Sequence, residues 1–224
     1  MKLEKTTKLP RNDEKRRFDD ACGLAHALEL LGDRWAMLVL RELAYGPRRF
    51  SELKADLQGI SANVLTQRLT ELEGRGLVRK VRLPPPASVQ VYEATDWGLE
   101  AIPTIAALGR WAARSPFHDP TLRMSHVSVI MSLQTLLSPE RADGLDARIG
   151  FRFGEADYVT TLHHGRLDVE RRPASGCEVV FTGPPSAVAA VIHGGAPFET
   201  ISVEGDMDLA KRFVKLFPLP EKVA

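Results

Sequence analysis

Apolar positions recur at helical intervals through the first half of the chain and alternate with polar ones through much of the second. In "ACGLAHALELLGD", Leu24, Ala27, Leu28 and Leu31 fall on one side of a helix, and Gly32 offers a stop. "RWAMLVLRELAYGP" places Trp35, Leu38, Val39 and Leu43 together and ends at Gly46-Pro47. A third short helix is predicted from Phe50 to about Leu57, with Leu53 and Leu57 as its ridge. In "GISANVLTQRLTELEGRGLVRK", Ser61 is placed to cap a fourth helix, because its hydroxyl can accept an otherwise unpaired backbone N–H. Leu65, Leu69 and Leu72 then form its ridge, and Gly74 and Gly76 close it. "LVRKVRL" and "VQVYEA" favour extended chain on either side of "PPPAS", which predicts a β-hairpin over residues 77–94. Thr95 and Asp96 open a further helix through "GLEAIPTIAALGRWAAR", with a kink expected at Pro103.

The pattern breaks at "SPFHDP", residues 115–120, which sets a domain boundary. A charged leader (1–18), a first domain (19–115) and a second domain (121–218) result. In the second, "TLRMSHVSVIMSLQTLLSP" reads as a helix, and "ARIGFRFG", "DYVTTLHHGRLDVERR" and "CEVVFTG" as strands around a His164-Gly165 turn. "PPSAVAAVIHGG" is a helix with proline in its first turn and glycine at its end. "ETISVEGD" is strand-like, and the segment after it is an amphipathic helix burying Leu209, Phe213, Leu216 and Phe217. The fold class is α+β.

The fourth helix has an unusual open side. At about 100° per residue, with Leu65 at the centre of the buried side, Asn63, Gln67 and Thr70 lie nearly opposite, and Thr66 flanks them. Uncharged side chains that both donate and accept hydrogen bonds suit base edges in the major groove, where Asn or Gln pairs bidentately with adenine. Arg48 and Arg49 precede this helix and Arg79, Lys80 and Arg82 follow it, placed to neutralise phosphates. Arg68 lies nearer the buried flank, with a phosphate or Glu71 within its reach. On its own, such a polar side is more often simply solvated. The order of helices, basic hairpin and returning helix is what turns the reading toward a winged helix-turn-helix that binds nucleic acid.

Composition adds limits. At 224 residues the chain is long enough for two modest domains, and 44% hydrophobic with 26% charged residues is ordinary for a globular protein. No apolar run approaches the ~18 residues of a membrane span, and the charged N-terminus lacks a signal-peptide core, so no membrane association and a cytoplasmic location are expected. Residues 1–115 carry 19 basic against 15 acidic residues and residues 116–224 carry 11 against 14, so the first half is the one suited to a polyanion. Cys22 and Cys177 form no metal-ligand cluster and are expected to be buried free thiols, with redox sensing by Cys22 as the alternative. His163 and His164, adjacent on a strand, are expected to point to opposite faces. No GxSxG, HExxH, GxxxxGK[ST] or helix-opening GxGxxG occurs, so neither an enzyme, a cofactor nor a metal is expected.

Residues 22–111 resemble the HxlR-type transcriptional regulators, relatives of the MarR group. The resemblance rests on "LLGDRWAMLVLREL", "GPRRFSELKADLQGISANVLTQRLTELEGRGLVRK", "VYEATDWG" and "LGRW". It implies a homodimeric winged helix-turn-helix that pairs through its first and last helices and binds pseudo-palindromic operators in double-stranded DNA. Asn63, Thr66, Gln67 and Thr70 would then lie on the recognition helix, and Trp35 and Trp111 would anchor core and dimer interface. In some members a cysteine at the position of Cys22 senses oxidants. The wing departs from the family pattern, since "PPPASVQVYE" is richer in proline and less charged. "CEVVFTGPPSAVAAVIHGGAPFETISVEGDMDLAKRFVKLF" resembles the end of sterol-carrier-protein-like domains, in which a glycine-aspartate step turns a strand into the last helix. That resemblance implies a site for an apolar, lipid-like effector. Phe151, Phe153, Val180, Val188, Ile192, Phe198, Phe213 and Phe217 could line it or simply form a core, so no ligand residue is assigned. The expectation is a ligand-responsive transcriptional regulator. The alternatives are a lipid carrier whose first domain serves dimerisation, and a thiol-based regulator acting through Cys22.

Overall fold

Four helices, a hairpin and a returning helix follow one another in the predicted order: α1 (Gly23–Leu31), α2 (Ala36–Glu42), α3 (Phe50–Asp56), α4 (Ala62–Gly74), β1 (Val78–Arg82), β2 (Gln90–Ala94) and α5 (Asp96–Glu100). These come from a computed structural model, which describes residues 18–154 and 156–223. All of the sequence-defined leader except Phe18 lies outside the described residues. The chain divides into two compact units. The first takes residues up to Leu43 together with Pro47–Glu100, and the second takes Ala44–Gly46 and everything from Ala101 onward.

In the first unit the leucine ridge of α4 is buried, with Leu65 and Leu72 fully enclosed beside Val39, Leu40 and Leu53. Ser61 caps the helix, its hydroxyl accepting the Val64 N–H at 3.2 Å. At the other end Gly76 adopts a φ of +75°, a left-handed conformation that a side chain would oppose. β1 and β2 pair antiparallel with Arg79 opposite Glu93 and Lys80 opposite Tyr92. Arg48 adds a third, one-residue rung: its N–H and C=O each bond the backbone of Tyr92 at 2.8 Å.

The second unit begins with α6 (Ile102–Ala112) and continues through α7 (His126–Leu136), α8 (Pro139–Ala142), β3 (Ala147–Arg152), β4 (Asp157–His163), β5 (Arg166–Glu170), β6 (Val179–Thr182), α9 (Pro185–Gly194), β7 (Ser202–Gly205) and α10 (Met207–Phe213). Pro103 does not kink a long helix. The helix predicted from Thr95 onward is broken at Ala101, and Pro103 sits in the first turn of α6, where its missing N–H costs nothing. The sheet order is β5-β4-β3-β6-β7, antiparallel except where β3 runs parallel to β6. Ile149, Phe151, Tyr158, Leu162, Val179 and Phe181 project from one face into a core shared with α7, α9 and α10. Gly205 and Asp206 turn β7 into α10, the Asp206 carboxylate accepting the Asp208 and Leu209 N–H groups at 2.9 and 3.0 Å.

Strand alternation divides the eight apolar residues that might have lined a site. Phe151, Val188, Ile192, Phe213 and Phe217 are packed in the core with Phe153 and Phe198 against it, and the Phe213 and Phe217 rings meet edge-on at 4.9 Å. Val180 lies on the opposite face of β6, beside Gly150; a Cβ on Gly150 would come within 3.1 Å of Val180 and 2.9 Å of the Ala174 methyl. The absent side chain lets the segment before β6 lie on the sheet.

His193, near the end of α9, faces the Ser132 hydroxyl through Nε2 at 2.8 Å and the Phe217 carbonyl through Nδ1 at 3.3 Å. Burial holds its pKa below the ordinary 6.5, against the pull of that carbonyl. As pH falls below about 6.5 the unfolded chain takes up a proton that the folded ring refuses, so stability should drop through that range. Urea unfolding between pH 7.5 and 5 should show this fall, and His193→Gln should flatten that part of it.

Candidate nucleic-acid interface

The side of α4 away from its leucines is exposed at Asn63, Thr66, Gln67 and Thr70. Two of the four already have partners along the helix. Gln67 donates through Nε2 to Glu71 at 2.9 Å, and the Thr70 hydroxyl donates to the Thr66 carbonyl at 2.9 Å. Both contacts hold side chains against the helix surface, which lowers their rotamer freedom and leaves the Gln67 amide oxygen and the Thr70 lone pairs available as acceptors. Arg68, one residue on from Gln67, turns inward. It pairs with Asp33 and, at 2.5 Å, with Glu71, and is buried, so the Glu71 alternative and not the phosphate describes its position.

Arg48 and Arg49 diverge sharply. The rung formed with Tyr92 gives this part of the chain strand-like alternation, so one side chain enters the protein and the next leaves it. Arg48 is only 2% exposed and is surrounded by carboxylates: Asp56 at 2.6 Å, Glu52 at 3.4 Å and Glu42 at 3.7 Å. Burial opposes its charge, but the hydrogen bond and charge of Asp56, with Glu42 and Glu52 behind it, raise its pKa above the ordinary arginine value. A phosphate-contacting role for Arg48 is corrected on this ground: its guanidinium holds the helices. Arg49 is exposed, and its backbone N–H donates to Glu52 at 2.7 Å at the start of α3.

On the hairpin, Arg79 meets Glu93 across the strands at 2.5 Å and so carries part of its charge compensation with it. The Lys80 ammonium lies 6.0 Å from the centre of the Tyr92 ring. Lys80, Val81, Arg82, Ser88 and Gln90 line a polar recess on the hairpin. Ser88 and Gln90 were not singled out by the sequence reading. The hairpin register contains the signal for Gln90, since it pairs directly with Arg82.

Cys22 is exposed rather than buried. It is the cap residue of α1, with its N–H donating to Asp20 at 2.9 Å. Cys177 is half-buried, and burial pushes its thiol up while Arg172 and Arg148 pull it down. Trp35 is partly buried under the Arg34 guanidinium, 5.5 Å from its ring centre, whereas Trp111 is 70% exposed and so is no core residue in the single chain. The His163 and His164 rings do not point apart. His164 leaves the strand with a φ of +48°, which brings the ring centres to 3.8 Å. Among the described residues no cluster of three His, Cys, Asp or Glu side chains could hold a metal, and no helix is long and apolar enough to cross a membrane.

The profile of the HxlR-like helix-turn-helix family matches residues 30–118. Over 86 residues the chain is 36% identical to the HTH-type transcriptional regulator YvaP of Bacillus subtilis, covering 38% of this chain and 80% of that protein. It is 39% identical over 92 residues to the HTH-type transcriptional regulator YkvN of the same organism, covering 41% and 77% respectively. Among solved structures, the reduced form of the transcriptional regulator YodB from B. subtilis is 31% identical over 45% of this chain and 98% of that one, with a TM-score of 0.39.

The two adjacent arginines give a direct check on the geometry. Removing one partner from a buried charge cluster typically costs about 3–5 kcal/mol, so Arg48→Ala should lower the urea-unfolding free energy by about that amount. Arg49→Ala, at an exposed position, should change it by no more than about 0.5 kcal/mol.

Proposed function

Because this chain belongs to the HxlR-like helix-turn-helix family of DNA-binding transcriptional regulators, we propose that it binds a pseudo-palindromic operator in double-stranded DNA as a homodimer, with α4 as the recognition helix. The observation that carries this reading is the exposed, uncharged face of α4, held on a capped helix whose opposite side is locked into the core. Asn63, Thr66, Gln67 and Thr70 read base edges. Arg49, Lys80 and Arg82 contact phosphates, and Arg79 does so in exchange with Glu93. The homodimer is supported by apolar surface on the helices concerned: α1 buries none of its residues and exposes Leu24 and Leu28, while Leu108 and Trp111 are exposed on α6. The protein acts in the cytoplasm and without catalysis.

We assign residues 19–115 to DNA binding and residues 121–218 to ligand sensing in a sterol-carrier-like domain. Support for the second assignment comes from the strand-helix-strand-helix run β6-α9-β7-α10 and the Gly205-Asp206 step between its last two elements. A ligand can alter operator binding only through different affinities for the DNA-competent and DNA-incompetent states. The exposed thiol of Cys22 at the start of α1 supports a second reading, regulation by oxidation.

Two measurements test these proposals. Asn63→Ala and Gln67→Ala should each reduce discrimination between operator and scrambled DNA by about 1–3 kcal/mol; sequence preference surviving both with only overall affinity changed would show that this face is not the reader. Operator affinity should shift when a lipid-like ligand saturates the protein, and an unchanged affinity at saturation removes the ligand-sensing assignment.

A further inference from the structure

The second unit contains a feature that the reading of a purely apolar ligand does not use. The phenylalanines that could have lined a tunnel pack against the core and against one another. At its surface, however, Arg141, Leu145, Arg212, Lys215 and Leu216 line one recess. Leu145 and Leu216 are 7% and 3% exposed and belong to the core, so the floor of this recess is the outer surface of the core itself. The other three lining residues are cationic and exposed.

The rim is held in place. Arg141 donates through Nη1 to the Lys215 carbonyl at 2.9 Å, and the Ser138 N–H donates to the Leu216 carbonyl at 2.8 Å, tying the start of α8 to the turn that follows α10. Two acidic groups close in sequence are engaged elsewhere: Glu140 accepts the Ser138 hydroxyl at 3.0 Å, and Asp208 faces Lys211 at 3.8 Å. Among the described residues, none of the three rim cations has a carboxylate partner within salt-bridge distance. Three like charges brought together around an apolar floor repel one another and are relieved by an anion. A guanidinium fork matches the paired oxygens of a carboxylate or phosphate, and the leucine floor can take apolar surface from water beside it.

We propose that this recess binds an amphipathic organic anion, a carboxylate or phosphate monoester carrying a short apolar chain, with Arg141, Arg212 and Lys215 on the head group and Leu145 and Leu216 under the chain. The proposal rests on the reading of the second unit as a ligand-binding domain and narrows its ligand class from apolar to anionic and amphipathic. Recognition then depends on both ends of the molecule: neither a neutral alcohol nor a bare inorganic anion satisfies the recess.

Isothermal titration of the full chain with octanoate, octyl phosphate, octanol and inorganic phosphate tests it. At least one of the two amphipathic anions should bind with one site per protomer, and the tighter of the two identifies the head group. Octanol and inorganic phosphate should each bind at least about fivefold more weakly, the scale of losing one or two partly exposed charge contacts. The double substitution Arg212→Gln with Lys215→Gln, at exposed positions, should weaken the amphipathic anion about fivefold or more and leave octanol unchanged. Lys211→Gln, outside the recess, should change neither. Failure of both anions to bind, octanol binding as tightly as they do, or full affinity in the double variant would each overturn the proposal. Operator affinity measured in parallel separates this site from the regulatory reading. Anion binding through the recess with unmoved operator affinity would keep the site and remove the regulation. An operator shift caused by octanol, with both anions failing to bind or binding the double variant at full affinity, would do the reverse.

Discussion

The first unit is organised around a buried positive charge. Arg48 brings no apolar surface comparable to the leucines around it, yet it touches carboxylates from α2 and α3, and its backbone is the rung that ties the turn before α3 to the hairpin. Taking a guanidinium and carboxylates out of water is costly, and a well-packed apolar cluster in the same volume can be as stable. What the charged version adds is direction. A planar guanidinium bonds in fixed directions that leucines do not impose, so the bonds to Asp56 at 2.6 Å and Glu52 at 3.4 Å orient α3 against the hairpin rung, with Glu42 of α2 3.7 Å away. The placement of α4 follows, because its leucine ridge fits against the helices that this cluster has oriented and because Arg68 and Arg75 fasten it to Asp33.

The second unit reaches its order by a different route. Its sheet has one face occupied by a continuous aromatic and aliphatic core and the other partly covered by chain folded over Gly150. Several polar groups inside it are paired, while the Thr182 hydroxyl is buried with no hydrogen-bond partner among the described residues. His126 meets the Tyr158 hydroxyl at 2.7 Å, and Tyr45 donates to Gln134 at 2.6 Å while its ring lies edge-on to Tyr158. Burial, aided by the nearby Tyr158, pushes the Tyr45 phenol well above its ordinary pKa, so it remains a hydrogen-bond donor at any physiological pH.

Much of this was legible from residue order because much of it is local. The Ser61 cap, the leucine ridge of α4, the hairpin and the glycine-aspartate step each depend on residues within a few positions of one another, where spacing and side-chain chemistry suffice. Other features depend on partners far along the chain. Nothing near Arg48 distinguishes it from Arg49; the distinction comes from Tyr92, on the far side of α4. Val180 looks as apolar as Phe181, and only the register of β6 against β3 sends it to the other face. The histidine pair failed for a local reason, since alternation was applied one residue past the end of the strand. The face of α4 was visible as a pattern, but Gln67 holding Glu71 and Arg68 turning toward Asp33 are matters of packing that a periodicity cannot contain.

The rung between Arg48 and Tyr92 also bears on how a large, stiff polyanion would be met. It closes a loop that takes in α3, α4 and the whole of β1, so the exposed Arg49, the polar face of α4 and the hairpin cations are joined at both ends of one circuit. The disorder that these surfaces would otherwise surrender on association has already been removed during folding. Such a surface would make contact as a template rather than as separate mobile segments. Its selectivity would then rest on shape held in advance, with little room for adaptation to a target of different geometry.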